Sequence, residues 1–369
     1  MDCETRYPNE FRTTHDNLMG WLLSSEHPIG APNGLQGKGT VAIPRLLITG
    51  GSGFLGRWVV QLAPRDWAVT GTYLTHPIEE PDVDWRRLNV REASAVSALM
   101  EDVRPSVVIH AAALNPGQAS SFEAVNARGT ENVSQAAERV GARLIHVSTD
   151  VLFDGRKGRS ARGAGEKGSF RQDRSGWAGY IEEDPPNPLT DYGRSKALAE
   201  DAVRRSGVRA VIVRTSLLYG VAAEARRPSL QDTPWQQWDR QTRWVIGDLM
   251  AAKPVHLFTD ERRCPTWVES LASALLELAA LGEVAAPRTE VLHVAGAQSL
   301  SRYAFGVRLA RFHGIDPIGI TPALSRESGL NRPLDCTLDC SRAEAKLRTP
   351  LPGPDQVLQP RSPRPDARS

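Results

Sequence analysis

Tyr192 and Lys196 stand four residues apart in Tyr192-Gly-Arg-Ser-Lys196, opening a stretch of helical pattern that runs on through Ala197-Leu-Ala-Glu200. That spacing puts the phenol and the ammonium on one helix face. A phenol with its ordinary pKa of ~10 is a poor acid–base group at neutral pH, and an adjacent cation stabilises the phenolate and lowers that value. Thr149 ends the apolar run Leu144-Ile-His-Val-Ser148 and offers a hydroxyl that can hold a carbonyl oxygen against Tyr192. Ser148 competes for that role, and Asp150 follows as a group able to orient the loop. Taken alone, Tyr-x-x-x-Lys is also what a surface pair on any helix looks like. The surrounding elements have to decide.

The run Leu46-Leu-Ile-Thr-Gly50-Gly-Ser-Gly53-Phe54-Leu55-Gly56 reads as strand, glycine turn and helix start. Gly50 permits the turn, Gly53 lets the backbone approach a pyrophosphate, and Gly56 lets helix and strand pack closely. The helix N-terminus adds free N–H groups and partial positive charge. A strand before and a helix after turn a glycine triplet into a dinucleotide site. NAD sites usually carry an acid about 20 residues on, for the ribose 2′-hydroxyl. The corresponding strand end here, Thr72-Tyr-Leu-Thr-His76, has none, and Arg57 directly after the last glycine suits a 2′-phosphate. NADP is therefore expected, with NAD as the alternative.

These motifs need a parallel sheet to position them. Apolar strands are expected at 45–49, 67–73, 106–110, 143–148 and 209–214, alternating with helices at 54–63, 92–102, 120–140 and 190–206. That alternation implies an α/β, doubly wound parallel sheet with right-handed crossovers. The dinucleotide-binding domain is expected over 44–220. A smaller substrate-binding cap follows over 221–358, with 256–295 returning to the first domain. Residues 1–43 read as a disordered or loosely docked leader, and 359–369 as a disordered Pro/Arg/Ser-rich tail. Residues 155–179 form a Gly/Arg-rich insertion with seven basic against two acidic side chains, read as a solvated surface loop.

Composition narrows the partners. The chain has 369 residues, 40% hydrophobic and 24% charged, so a sizeable core can form. A net charge of +2 gives no case for a polyanion, and the insertion lacks the interleaved aromatics of a nucleic-acid binder. No run approaches the ~18 apolar residues of a membrane helix, and the N-terminus has no signal-peptide pattern. Cys3, Cys264, Cys336 and Cys340 show no metal spacing and suggest reduced thiols in the cytoplasm; the last two flank what reads as a strand. No metal site is expected.

With these residues in view, the sequence resembles the extended short-chain dehydrogenase/reductases, and within them the dTDP-4-dehydrorhamnose reductase branch. The stretches carrying the likeness are TGGSGFLG (49–56), VIHAAA (108–113), the run 125–133, STDVLFDG (148–155), YIEEDPPNPLTDYGRSK (180–196), LFTDERRCPTWVESLA (257–272) and RPLDCTLDCSRA (332–343). The resemblance implies Thr149, Tyr192 and Lys196 as a catalytic trio, with Lys196 also on the nicotinamide ribose. It implies cofactor contacts from Gly50, Gly53, Phe54, Leu55, Ala111, Ala112 and Asn126, to which Gly56, Arg57, Asn89, Val90 and Ala113 are added as candidates. For a nucleotide-sugar substrate it implies Thr149, Asp150 and Val151, with Arg263 and Arg332 at the diphosphate. A homodimer is compatible with it. The chain departs from the branch at Val151, usually Tyr, and at Asn89, usually acidic. The implied activity is NAD(P)H-dependent reduction of a nucleotide-activated 4-keto-6-deoxy sugar. An epimerase or dehydratase would keep the same trio, and a non-catalytic NADP-binding subunit like that of methionine adenosyltransferase would keep the cofactor loop.

Overall fold

The computed structural model describes residues 43–359 except 77, 79, 81, 117–120, 157–178, 226–228 and 282–287. Nearly all of the leader, the Gly/Arg-rich segment and the tail thus lie outside the described residues.

Strand β1 (Arg45–Thr49) shows how the sheet forms. Alternate side chains leave opposite faces of a strand, and here Leu46 and Ile48 join one core cluster while Leu47 joins another, all fully buried. Strands β2 (Ala68–Tyr73), β3 (Asp84–Arg87), β4 (Val107–His110), β5 (Arg143–Thr149), β6 (Ala210–Thr215) and β7 (Thr289–His293) complete one sheet in the order β7-β6-β5-β4-β1-β2-β3. Every pairing in it is parallel. The order reverses between β1 and β4, which opens a crevice at their carboxyl ends.

Helices cover both faces. The core on one side takes in Trp58 and Val59 from α1 (Phe54–Leu62), and Leu271 and Leu275 from a helix over Val268–Ala280. The other side takes in Met100 from α2 (Ala93–Val103), Val133 from α3 (Gly129–Arg139) and Val203 from α4 (Asp191–Ser206). The helix expected over 120–140 begins as a π-helical segment, Glu123–Arg128, that runs straight into α3. Strands β3 and β7 are the two edges, and the strand pattern in the sequence leaves both out.

Beyond β6 the chain builds a smaller layer from helices over Arg240–Met250 and Arg302–Phe312 and a parallel pairing of Val255–Phe258 with Ile320–Ala323. Trp238 centres its packing, 5.3 Å from Phe312 and 6.0 Å from Trp267. The indole of buried Trp58 donates to Val221 O at 2.8 Å, which ties α1 to this layer. Residues 336–340 form no regular strand: Leu338 makes one isolated bridge to Tyr180. Cys264, Cys336 and Cys340 are buried and free. Among the described residues no helix is long and apolar enough to cross a membrane.

Candidate active site

The crevice at the β1/β4 switch is lined first by the glycine loop. Gly50 has φ 72°, and a Cβ there would lie 2.7 Å from the Ala112 backbone, so the two loops touch with only hydrogen between them. Gly50 N donates to Thr72 Oγ1 at 3.0 Å, and Ala111 N to Thr49 O at 3.1 Å, which fixes both loops to their strands. Helix α1 starts at Phe54 with no side-chain cap and no acid in its first turn. Its first N–H groups therefore face the crevice without a competing anion from the helix itself.

Around this loop the other cofactor candidates divide. Arg57 stacks 5.9 Å from the Trp85 ring and is ion-paired to Glu80 at 3.2 Å and Glu224 at 2.5 Å. Its Nη1 is buried without a hydrogen-bond partner among the described residues. Asn89 donates to Glu92 at 2.7 Å and accepts from Arg91 N at 3.2 Å, while Val90 is buried against Gly129. Asn126, on the π-helical turn, is fully buried. Its amide accepts from Leu114 N at 2.8 Å and donates to Leu114 O and to Ser195 Oγ, both at 3.1 Å. It therefore pins the segment following Ala111–Ala113 to helix α4.

Helix α4 delivers the phenol and the ammonium. Thr190 caps it by accepting from Gly193 N at 3.0 Å, and Gly207 with φ 75° ends it. Gly193 sits so close to the β5 turn that a Cβ would run into the carbonyl oxygen of Val151. Gly193→Ala is thus expected to cost about 1–3 kcal/mol of overpacking and to push Tyr192 away from Thr149, read as a lowered Tm with reduced turnover.

Tyr192 stands edge-on to Phe122, ring centroids 5.7 Å apart. Burial pushes its pKa up to about 12, against a hydrogen bond with Thr149 that lowers it. Lys196 is buried, donates to Val147 O at 2.6 Å, and is pushed down to about 8 by burial, with Glu200 acting the other way. Strand alternation sends the Ser148 and Thr149 hydroxyls to different partners. Ser148 turns away and donates to Glu200 Oε1 at 2.7 Å, whereas Thr149 lies on the Tyr192 side.

Glu200 and Arg214 are the residues beneath the site that the motifs do not announce. Arg214, 1% exposed, makes two 2.9 Å hydrogen bonds to Glu200, which is itself fully buried. Burial alone would raise the Glu200 pKa, but Arg214, Ser148 and Arg204 hold it below the usual carboxylate value. An arginine inside the apolar run Ala210-Val-Ile-Val-Arg214 is the sequence signal that a buried partner must exist.

The two arginines expected at a diphosphate share one carboxylate, that of Glu261. Arg332 is half-exposed and grips Glu261 through Nε at 2.5 Å and Nη2 at 3.0 Å. Arg263 is turned inward, 6% exposed, with its Nη atoms donating to the carbonyls of Arg262, Leu334 and Pro333 and its Nε 3.7 Å from Asp150. Its fork is thus engaged by backbone carbonyls. Val151 is half-buried.

Known proteins resemble the whole of this architecture. A family described as RmlD substrate binding domain matches residues 44–359. The methionine adenosyltransferase 2 subunit beta of Xenopus tropicalis is 28% identical over 315 residues, covering 82% of this chain and 83% of that protein. The dTDP-4-dehydrorhamnose reductase of Streptomyces griseus is 29% identical over 325 residues, covering 84% of this chain and 90% of that protein. Among solved structures, dTDP-4-dehydrorhamnose reductase from Bacillus anthracis in complex with NADP superposes with a TM-score of 0.65 at 22% identity, covering 86% of this chain and 97% of that one. That last likeness shows the shared fold.

Proposed function

The chain belongs to the RmlD substrate binding domain family, and from that premise we propose that it is an NADPH-dependent reductase of a nucleotide-activated 4-keto-6-deoxy sugar. The observation that carries this reading is the convergence of Thr149, Tyr192 and Lys196 at the carboxyl end of β5, two strands from the β1 end that carries the glycine loop. A dinucleotide fits the residues present: the Gly50 turn packs directly on the Ala112 backbone, α1 opens uncapped, and Arg57 retains one donor without a partner among the described residues.

When bound, the reduced nicotinamide supplies the hydride for the keto carbon. Thr149 holds the keto oxygen against Tyr192. As the C–O π electrons move onto oxygen, the Tyr192 hydroxyl transfers its proton there, giving a secondary alcohol and a phenolate. Lys196 stabilises that phenolate until solvent returns the proton. General acid catalysis of this kind is worth about 10²–10⁴-fold. Asp150, followed by Val151 rather than a second acid, has both oxygens engaged inside the protein, which favours reduction over the dehydratase reading.

The choice of NADPH rests on Arg57. Arg57→Ala is expected to weaken NADPH binding about tenfold or more, the worth of a hydrogen bond between charged groups, while NADH binding stays unchanged. Titrations with both cofactors, followed by nicotinamide fluorescence, would show equal losses if Arg57 is only a structural ion pair.

A second reading is favoured by the methionine adenosyltransferase relative: a nucleotide-binding subunit of a larger assembly. One assay separates the two. Purified protein offered dTDP-4-keto-6-deoxy-L-mannose is expected to oxidise NADPH stoichiometrically with alcohol formed. Binding of NADPH without turnover on this and related keto-sugars would defeat the reductase reading in favour of the subunit.

A further inference from the structure

Asp150 opens the short 3₁₀ turn after β5 and is 3% exposed. Its Oδ1 accepts from Thr149 Oγ1 at 3.2 Å. Its Oδ2 accepts from Ser216 Oγ at 2.5 Å and lies 3.7 Å from Arg263 Nε. Ser216 is held in turn by Cys264 N, which donates to its oxygen at 3.1 Å. Thr149 then meets Tyr192. A continuous buried chain thus runs from Arg263 through Asp150 and Thr149 to the phenol.

We propose that Asp150 is a positioning residue whose carboxylate, held by Ser216 and Arg263, fixes the Thr149 hydroxyl and the charge that faces Tyr192. The proposal rests on the reading of Tyr192 as the proton donor. A hydroxyl has one hydrogen to give and must turn about its C–O bond to serve a substrate. Anchoring Thr149 on Asp150 limits it to two arrangements, one donating to the carboxylate and one donating into the crevice. The negative charge also opposes ionisation of Tyr192, which keeps the phenol protonated for the reductive direction. Arg263 then serves as the counter-ion that allows Asp150 to be buried, and not as a ligand for phosphate. Among the described residues, the groups facing Asp150 are Thr149 at the end of β5, Tyr192 on α4, Ser216 after β6, Arg263 and Cys264 on the 262–264 segment, and Cys336 from the 332–340 segment. Glu261, Asp335 and Arg302 act at longer range, partly through Arg263.

The test places difluorotyrosine at position 192, where fluorination brings the phenol's titration into an accessible range and fluorine NMR reports its ionisation. Asp150→Asn keeps the shape and removes the charge. It is expected to move the phenol midpoint down by about one pH unit, the scale of a nearby charge; an unmoved midpoint overturns the proposal. Should Asp150→Asn fail to fold, Ser216→Ala retains every charge and removes one hydrogen bond that stabilises the carboxylate. The small acidic step by which the fluorine signal senses Asp150 is then expected to move to higher pH, and a missing or unmoved step overturns the proposal. If no keto-sugar is turned over, the reductase reading fails, and the fluorine titrations still decide the role of Asp150.

Discussion

Tyr192→Phe is expected to lower turnover by about 10²–10⁴-fold while leaving NADPH affinity unchanged. The substitution removes the acid and little else. Phe fills the same slot against Phe122, and no described contact of the glycine loop passes through the hydroxyl. Because burial holds the phenol near 12, Tyr192 itself stays protonated across the neutral range. Lys196 is different: burial brings it to about 8, so its charge is lost above that value and the phenolate loses its stabilising cation. Turnover is therefore expected to fall as pH rises past about 8. Steady-state rates with NADPH for both proteins, alongside cofactor titrations, check the result. A Phe variant with undiminished kcat would remove Tyr192 from the chemistry.

The second large effect is acid lability. His110 is depressed to about 3 by burial and by the charge of Lys196, and His293 to about 4 by burial and Arg214. His146 lies well below its ordinary value for the same reasons as His110, burial first. All three are at most 1% exposed. The unfolded chain takes up their protons near 6.5 and the folded protein does not until far lower. Stability is thus complete above that value and is lost as pH falls below it. Each histidine contributes a slope of about 1.4 kcal/mol per pH unit in that window, about 4 kcal/mol together. Buried carboxyls raised in the fold, such as Asp150, Asp239 and Glu182, offset part of this at the acid end.

His146 isolates the effect. It stacks on His110 at 5.4 Å, and neither of its ring nitrogens has a hydrogen-bond partner among the described residues. His146→Leu removes an unsatisfied polar ring, so it is expected to gain about 2 kcal/mol on the natural protein between pH 7 and pH 5. Urea unfolding at the two pH values measures this. A difference that does not change with pH would show that His146 is protonated in the fold.

The glycine loop, the Tyr-x-x-x-Lys pair and the strand ending in Thr149 are legible in the sequence because each is local. A glycine turn between strand and helix, a four-residue helical spacing and an apolar run all leave short-range patterns. The edge strands escape the same reading. Asp84-Trp-Arg-Arg is largely exposed and carries no apolar alternation, and β7 reaches full burial only at its last two residues. An edge strand is specified by its neighbour's unpaired backbone more than by its own side chains.

The partnerships of single side chains belong to tertiary structure. The sequence offers Ser148 and Thr149 as equal hydroxyls, and only the direction of β5 against α4 sends one to Glu200 and the other to Tyr192. Arg263 and Arg332 look alike in sequence, yet one is enclosed by backbone carbonyls and Asp150 while the other stays half-exposed on Glu261. Asp150 meets Ser216 and Arg263 across more than sixty and one hundred intervening residues. Residue type and local spacing by themselves marked out the glycine loop and the Tyr–Lys pair. Which buried charges neutralise one another was decided by packing, because a charge can leave water only where distant segments bring its partner within reach.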